Sequence, residues 1–463
     1  GGLMPLILPG NVASATAATT YEIANSCRFD GSSSFLAFTL GSETNRDRWT
    51  WSCWFKRSKI STTSVLHHVY IDGDNHNFFK FDSSDALNYN NETGASVTGK
   101  LFTNALYRDI SAWYHAMIVY DSANATAGNR MRMYVNGTEV TSFETDTQPS
   151  SGQDSFFYNT KVVNIGRDQR GTSGFWDGYM AEIIYCDGQA YGPDKFGEFD
   201  SDSPTIWKPI DPAEQSLTFG NNGFWLDFED SSAMGNDVSG NNNDWSVTGI
   251  AAVDQATDTP TNNFCTWNPL FANTGYWSGE TGTPTFAEGN CSQAGNPYST
   301  MGTMATTVMP FYYEMNITAN IGDAMLGVMG STPVGGVSRG FDDTSCYGAY
   351  VYSDNNQKIV AGSRSTWTSG LNGTGTYMAA VDPTNNKMWI GKDGSWDGNP
   401  ASGTGNLLAP SANYEYTPWS NNLSTSTSLV NFGGCSAFTV SSGNADGNGY
   451  GNFEYAPPSG FLA

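Results

Sequence analysis

Short runs of aromatic and β-branched residues, separated by turn-forming clusters, are the feature that most constrains the fold. The segment 49–55 is Trp-Thr-Trp-Ser-Cys-Trp-Phe, which alternates large and small side chains as a half-buried strand does. Asn136-Gly137 is a strong hairpin signal between the alternating runs 130–135 and 138–140. No helical period of 3.6 residues continues for more than two turns. The sequence therefore predicts an all-β protein of antiparallel strands.

The composition supports this interpretation and excludes several classes of partner. The chain has 463 residues, of which 52 are Gly, and 14% are aromatic, which is unlike a disordered chain. Its formal net charge of −24 repels nucleic-acid phosphates and anionic lipids, so we expect no nucleic-acid partner. No apolar run approaches the roughly 18 residues of a membrane span, so we expect no membrane insertion.

The pattern of strands and breaks predicts two β-sandwich domains and an arm. Residues 1–20 are rich in small side chains, and we expect an extended attachment arm whose apolar Leu6, Ile7 and Leu8 contact a neighbouring subunit. Residues 21–210 form the first predicted sandwich. Residues 211–250, which begin after Pro204 and Pro209 and contain Pro212 and the run Gly-Asn-Asn-Asn, are predicted to be a connector. Residues 251–463 form the second predicted sandwich.

Four blocks in the first sandwich resemble the laminin-G/concanavalin A-like jelly-roll superfamily, at spacings that fit it. They are Trp113–Asp121, Arg132–Gly137, Asn164–Gly166 and Phe175–Glu182. The resemblance implies an antiparallel jelly roll over residues 21–210.

The second half is similar to a SPRY-like sandwich. The blocks that carry this resemblance are Tyr312–Glu314, Leu326–Val328, Tyr347-Gly348, Val381-Asp382 and Lys387–Trp396. The combination of the two sandwiches resembles structural proteins of tailed phages, particularly of the marine type. That resemblance implies a component of the virion surface, which is a tail fibre or spike or a capsid fibre.

The sequence shows no combination of residues typical of an active site, so we predict that the protein is not an enzyme. Glycosidases need two carboxylates across a groove, whereas Glu182 is the only acid in its strand. His67 and His68 are adjacent, so they point to opposite faces of a strand and cannot readily share a metal. His115 lies in an apolar strand, which favours a core or interstrand hydrogen bond. Seven cysteines at irregular spacings, with no CxxC, favour buried thiols.

Two kinds of binding site remain as candidates. A calcium ion could be held by turn oxygens at Asp72, Asp74 and Asn75, or at Asp121, although each segment also fits a solvated turn. We expect no other cofactor. Sugar rings could stack on aromatic residues that lie beside Gly and Ser turns, although burial of each under a loop is the alternative. These residues are Tyr276, Trp277, Trp367 and Trp396.

The sequence therefore predicts a virion surface protein that attaches to host surface glycans by lectin-like binding. Several weak sites per particle would raise the avidity, and a homotrimer is the expected oligomer. Residues 1–20 are expected to contact other virion proteins. One alternative is a purely architectural virion protein, such as a capsid decoration or tail assembly subunit, that recognises no sugar. A second alternative is a secreted bacterial lectin.

Overall fold

In the computed structural model, the regular structure of the described residues consists of antiparallel β-strands and short 3-10 helices. The described residues are 21–156, 161–171, 173–271, 273–274, 284–295, 298–318, 324–330, 344–352, 357–367, 371, 373–412, 414–422 and 426–463. Within these ranges the chain forms strands and short 3-10 helices but no α-helix, which confirms the predicted all-β class. No helix there is long and apolar enough to cross a membrane. The described residues divide into two compact units, 21–261 and 262–463.

The first unit is built from eighteen strands within its described residues. They are β1 (Ser26–Asp30), β2 (Phe35–Thr39), β3 (Arg48–Arg57), β4 (Ser64–Asp72), β5 (Asn75–Phe81), β6 (Ala86–Thr93), β7 (Ser96–Leu106), β8 (Trp113–Asp121), β9 (Met131–Val135), β10 (Thr138–Glu139), β11 (Phe143–Thr147), β12 (Val162–Ile165), β13 (Asp177–Asp187), β14 (Gly197–Phe199), β15 (Trp207–Pro209), β16 (Phe224–Leu226), β17 (Ser246–Thr248) and β18 (Gln255–Ala256). Short 3-10 helices occupy Ala127–Asn129, Pro193–Lys195, Pro212–Gln215 and Ala252–Asp254.

Two eight-stranded sheets form the sandwich of the first unit. Sheet 1 has the order β10-β9-β8-β3-β13-β1-β18, and β16 pairs with β13; sheet 2 has the order β11-β7-β6-β5-β4-β12-β2-β17. Trp51 on β3 meets Phe79 on β5 edge to face, with ring centroids 5.5 Å apart. Burial of each such large apolar side chain contributes roughly 1.5–3 kcal/mol to folding. The alternation along β3 therefore places Trp49, Trp51 and Phe55 in the core, whereas Trp54 packs on the opposite face of the sheet.

The predicted connector 211–250 is instead part of this sandwich, and the first unit continues to residue 261. β16 pairs with the central strand β13, β17 pairs with β2, and β18 pairs with β1. The ammonium of Lys56 on β3 is buried and pairs with the buried carboxylate of Asp258 at 2.7 Å. An unpaired buried charge is strongly unfavourable, so the fold of residues 21–210 requires the segment that follows them.

The second unit contains two seven-stranded antiparallel sheets among its described residues. The strands are β19 (Asn273–Thr274), β20 (Thr285–Ala287), β21 (Ser292–Gly295), β22 (Tyr298–Met301), β23 (Phe311–Ile317), β24 (Ala324–Gly330), β25 (Tyr347–Tyr352), β26 (Gln357–Val360), β27 (Ser363–Thr366), β28 (Gly375–Asp382), β29 (Lys387–Lys392), β30 (Ser395–Trp396), β31 (Tyr416–Asn422) and β32 (Ser426–Asn431). One sheet has the order β19-β22-β31-β24-β25-β26-β27 and the other β20-β21-β32-β23-β28-β29-β30. A short 3-10 helix spans Pro269–Phe271.

A buried carboxylate fixes the carboxyl-terminal segment to the second unit. Glu314 on β23 accepts hydrogen bonds from the hydroxyl of Tyr312 and from the backbone N–H groups of Glu454 and Tyr455. Burial raises the pKa of Glu314 above its usual range, although these hydrogen bonds oppose the shift. Residues 454–455 are thereby attached to the central strand of a sheet.

Candidate functional site

The outer face of sheet 1 is not exposed, because the segment between β13 and β16 covers it. Met117 and Val119 on β8 and Ile184 on β13 point away from the main core and pack in a second apolar cluster with Phe196. Leu217 and several neighbouring apolar side chains complete this cluster. The covering segment contains the two-stranded β14–β15 hairpin, which forms part of the layer over this face.

A cleft of about 920 Å³ opens in this covering layer. This volume lies near the upper end of the roughly 300–1,000 Å³ that ligand pockets occupy. Its lining combines aromatic rings, carboxylates and backbone of small residues. The lining residues are Tyr21, Gly137, Pro193, Asp194, Gly197, Glu198, Phe199, Trp207, Pro209, Ile210, Asp211, Glu214 and Gln215.

The indole of Trp207 forms one wall of the cleft and lies flat on two glycines. A Cβ atom on Gly137 would come within 2.3 Å of the indole, and a Cβ on Gly197 within 2.5 Å. Gly137 also has φ of +71°, as the Asn-Gly hairpin turn requires. Phe199 meets Trp207 edge to face at 5.0 Å and is 44% exposed. The cleft therefore presents two adjoining aromatic rings, of which Phe199 faces solvent.

A hydrogen-bond chain from the sheet holds the orientation of Trp207. The indole Nε1–H donates to Nδ1 of His115 at 3.2 Å, and Nε2 of His115 lies 2.7 Å from the hydroxyl of Ser52. Burial lowers the pKa of His115 to about 3, so the ring is neutral and Nδ1 is available as an acceptor. His115, predicted to be a core or interstrand hydrogen-bonding residue, therefore acts as the support of the cleft wall.

Tyr21 on another wall is tied to a buried acid. Its hydroxyl donates to Oε1 of Glu182 at 2.9 Å, and the indole N–H of Trp225 donates to Oε2. Glu182 has φ of +48° where the β3–β13 register shifts between Ala181 and Ile184. Burial raises the pKa of Glu182 to about 8, because its effect is larger than the opposing effect of the two hydrogen bonds. A β-bulge at Glu182 therefore interrupts the hydrogen bonding between β3 and β13 and directs the Glu182 side chain toward Tyr21.

The carboxylates of the cleft are acceptors at its rim. Asp194, Glu198 and Glu214 are exposed, and Glu198 forms an ion pair with Lys208 at 3.1 Å. Asp211 caps the 3-10 helix that follows it, because its Oδ1 accepts the N–H of Ala213 at 2.9 Å. Acceptors placed around exposed rings suit a ligand that offers many hydroxyl donors and an apolar face.

The structure places the predicted calcium ligands on different sheets. Asp72, Asp74 and Asn75 form the β4–β5 turn, where Oδ1 of Asp72 accepts from the backbone N–H of Asp74 and from Nδ2 of Asn75, both at 2.9 Å. Asp121 ends β8 on sheet 1 and pairs with Arg48 at 3.1 Å. In the part of the chain that is described, no group of three His, Cys, Asp or Glu residues is arranged to hold a metal ion. The calcium site stays a prediction.

The predicted sugar-stacking residues lie in the second unit. Trp367 is 7% exposed and donates its Nε1–H to Oδ2 of Asp397 at 2.9 Å. Trp396 on β30 is half-buried, with its ring 6.2 Å from that of Tyr312. Neither is among the residues that line the first-unit cleft. Tyr276 and Trp277 lie outside the described residues, as do Leu6, Ile7 and Leu8 of the arm.

Sequence reasoning missed the residues that the cleft brings together. Tyr21, Phe199 and Trp207 belong to three separate segments, and the hairpin that joins the last two contains too few residues to show a strand period. The available signal is the alternation of aromatic residues with acids in 196–200.

Comparison with known proteins supports the resemblance of the first unit. Residues 30–186 match the concanavalin A-like lectin/glucanases superfamily. The match covers about a third of the chain and includes strands of both sheets. Most of the cleft lining lies after residue 186 and therefore outside the match. A search of curated protein sequences found no match.

Solved structures of three kinds are similar to parts of the chain. The SAP-like pentraxin from Limulus polyphemus is 19% identical, with 37% of this chain and 80% of that chain covered and a TM-score of 0.27. The SPRY domain of human HERC1 is 14% identical, with coverage of 37% and 99% and a TM-score of 0.27. Domains LG4-5 of the mouse laminin alpha1 chain are 12% identical, with coverage of 89% and 90% and a TM-score of 0.28.

Proposed function

We propose that the first unit binds carbohydrate in the cleft between Tyr21, Phe199 and Trp207. One observation carries this proposal, which is the pair of an exposed Phe199 and a half-buried Trp207 beside carboxylate acceptors in a cleft of about 920 Å³. A sugar ring has an apolar C–H face that packs on an aromatic ring, and hydroxyls that donate to carboxylates. The match of residues 30–186 to a lectin and glucanase superfamily supports the same class of ligand.

The electrostatics of the cleft favour neutral glycans. Its four carboxylates and the net charge of −24 disfavour the approach of sulfated or carboxylated sugars. Lys208 lies beside the rim, where Glu198 and Asp200 neutralise it at 3.1 and 3.6 Å. Lys195 also lies there and donates to the backbone oxygen of Gln215 at 3.4 Å. We therefore expect neutral oligosaccharides to bind here more tightly than acidic ones.

We propose binding rather than hydrolysis at this cleft. A glycosidase keeps one carboxyl protonated in an apolar pocket to act as a general acid. Asp194, Glu198 and Glu214 are instead exposed, and Asp211 is occupied as a helix cap. The buried acid Glu182 contacts Tyr21 and Trp225 and does not line the cleft.

A glycan array of neutral oligosaccharides, followed by calorimetry of the best binder, tests the proposal. Phe199→Ala should weaken binding by about tenfold, because one stacking contact contributes about 1 kcal/mol or slightly more. Val247→Ala is the matched control, since Val247 is 42% exposed on β17 of sheet 2. Equal affinity of Phe199→Ala and the unaltered chain would contradict the proposal.

We propose further that this binding serves attachment of a phage particle to host surface glycans. The support is the resemblance of the two-sandwich chain to tailed-phage structural proteins and the absence of an arranged catalytic group in the described cleft. Several copies, expected as a trimer attached through residues 1–20, would convert weak sites into high avidity. Specific labelling of phage particles by antibody against the chain, with adsorption to host cells blocked by the array-positive glycan, is the expected result. Labelling without such blocking would favour the architectural role, and binding without any particle association would favour a secreted lectin.

A further inference from the structure

The outer face of sheet 2 carries an ordered set of polar side chains that the cleft does not use. Phe79, Tyr89 and Leu101 belong to the main core, so their neighbours along each strand point to the opposite side. We call this set the polar face. It consists of the polar residues His68, His76, Lys80, Asn88, Asn90 and Lys100, together with the ring of Phe78 that lies among them.

The strand register places six of these side chains in two adjoining rows, and His76 lies in a third row opposite Glu92. One row runs from His68 through Phe78 and Asn90 to Lys100. In the next row Lys80 stands opposite Asn88. The rows are one pleat apart, roughly 7 Å along the strands, and neighbouring strands are roughly 5 Å apart. Lys80 and Lys100 therefore lie at opposite corners of a patch, with the amides of Asn88 and Asn90 between them. The area of this patch is comparable with that of one or two sugar rings.

Several polar atoms on this face are buried and make no hydrogen bond with any described residue. They are Oδ1 of Asn88, Oδ1 of Asn90, Nε2 of His68 and Nδ1 of His76. The residues are 8%, 5%, 0% and 4% exposed. Nδ1 of His68 lies 3.0 Å from the backbone nitrogen of Gln169 and 3.2 Å from Oδ1 of Asp168, whereas Nε2 contacts neither. Buried polar groups without partners cost free energy, and on a sheet face they are typical of a site that a polar ligand completes.

The two lysines of the polar face have no ion pair within the described ranges. The Nζ of Lys80 lies 4.0 Å from the ring centroid of Phe78, and that of Lys100 lies 5.4 Å from Phe102. The neighbouring Arg170 pairs with Asp168 at 2.6 Å, and His76, whose pKa is lowered by burial, lies 3.7 Å from the carboxylate of Glu92. The pKa of Lys80 is lowered, first by burial and then by Arg170. Both ammonium groups are therefore available to pair with a ligand carboxylate.

We propose that the polar face binds the terminal carboxylate-bearing sugar of an acidic saccharide. Lys80 leaves the ring of Phe78 to pair with the carboxylate, because a charge-assisted hydrogen bond is stronger than a partly exposed cation–π contact. The amide oxygens of Asn88 and Asn90 accept sugar hydroxyls. A single terminal acid fits better than a long polyanion, because a polymer would extend from this face over acidic surface.

This site lies on the sheet opposite the cleft, and neither proposal depends on the other. The cleft presents carboxylates and favours neutral sugars, whereas the polar face presents lysines and favours acids. The same chain would therefore recognise two classes of sugar. A Phe199→Ala variant of the cleft should keep its binding of acidic sugar.

Ligand-observed NMR titration of the full chain with 3′-sialyllactose and with lactose tests the proposal. We expect the unaltered chain to bind sialyllactose at least about tenfold more tightly than lactose in the presence of excess cleft-binding neutral glycan. Lys80→Gln with Lys100→Gln should abolish that preference, and Lys80→Arg, which retains the charge, should preserve it. Lys59→Gln, in the exposed turn between β3 and β4, is the control for each single variant, Lys80→Gln or Lys100→Gln, which changes the net charge by the same amount.

Two results would overturn the proposal. One is equal affinity of the unaltered chain for sialyllactose and lactose, or no binding of either in the presence of the cleft ligand. The other is a preference for sialyllactose that persists in the double lysine variant, with thermal unfolding showing that the variant is folded.

Discussion

Replacement of Glu182 by Gln is predicted to stabilise the first unit by an amount that grows with pH. The carboxyl of Glu182 is buried, and its pKa rises from 4.5 to about 8 because burial penalises the charged form. The folded chain therefore holds a proton that the unfolded chain has released. Stability from this group is fully present below pH 4.5 and is lost as the pH rises to about 8. Gln has the shape of the protonated acid and stays neutral throughout.

The magnitude follows from the shift. One pKa unit corresponds to about 1.4 kcal/mol, so the full shift is worth about 5 kcal/mol. From the folded and unfolded pKa values of Glu182, the free energy of unfolding of Glu182→Gln should exceed that of the unaltered chain by an amount that depends on pH. The difference is less than about 1 kcal/mol at pH 5, about 3 kcal/mol at pH 7 and about 4 kcal/mol at pH 8. Both hydrogen bonds survive in the variant, because the Gln oxygen accepts from Trp225 and its NH₂ donates to the oxygen of Tyr21.

Urea unfolding of the full chain at a series of pH values measures this difference. Burial lowers the pKa values of His67 and His115 to about 3, so these residues stabilise both proteins as the pH rises from about 3 to their unfolded pKa near 6.5. Only the difference in stability between Glu182→Gln and the unaltered chain therefore reports on Glu182. Glu144→Gln, on the edge strand β11, is the control for an equal change of charge at an exposed position. A difference that is constant from pH 5 to 8 would refute the reasoning, since Glu182 would then have the same charge in both states.

Three further predictions concern the packing around the cleft and the extent of the first unit. Lys56→Met should destabilise the first unit by about 3–5 kcal/mol, because it leaves the buried carboxylate of Asp258 without its cation, and chemical denaturation would show the loss; an effect below about 1 kcal/mol would contradict the buried pair. Gly137→Ala should lower the melting temperature and change the near-ultraviolet circular dichroism of Trp207, because its Cβ would lie 2.3 Å from the indole; an unchanged spectrum would show that the indole does not rest there. A chain that spans residues 21–250 should unfold at a lower temperature than one that spans 21–261, because it lacks β18 and Asp258; equal melting temperatures would favour the sequence-based boundary.

The sequence predicted the strands of the core well, because their side-chain alternation is a local property. The segments 49–55 and 113–121 lie within β3 and β8, and Asn136-Gly137 forms the turn between β9 and β10. His67 and His68 do point to opposite faces, with His67 at 5.1 Å from Trp51 in the core and His68 bonded to the loop at Gln169. These features depend on residues that are close together in the chain.

The boundary of the first unit and the cleft could not be predicted in the same way. β16, β17 and β18 are each two or three residues long, so they show no period, and their pairing partners lie about 40 to 230 residues away. Glu182 was recognised as a solitary acid, but its role depends on a bulge and on Tyr21, more than 150 residues away. The prolines of 204–212 disfavour regular structure, yet β15 forms within this segment, pairs with β14 and builds a wall of the cleft.

The most direct test of the central claim is an experimental structure of the full chain bound to its best neutral glycan. We predict a sugar ring packed against Trp207 and Phe199, with hydroxyls within hydrogen-bonding distance of rim carboxylates such as Asp194 or Glu198. A neutral glycan bound instead at Trp367 or Trp396 in the second unit, or a chain that binds no neutral glycan at all, would contradict the claim.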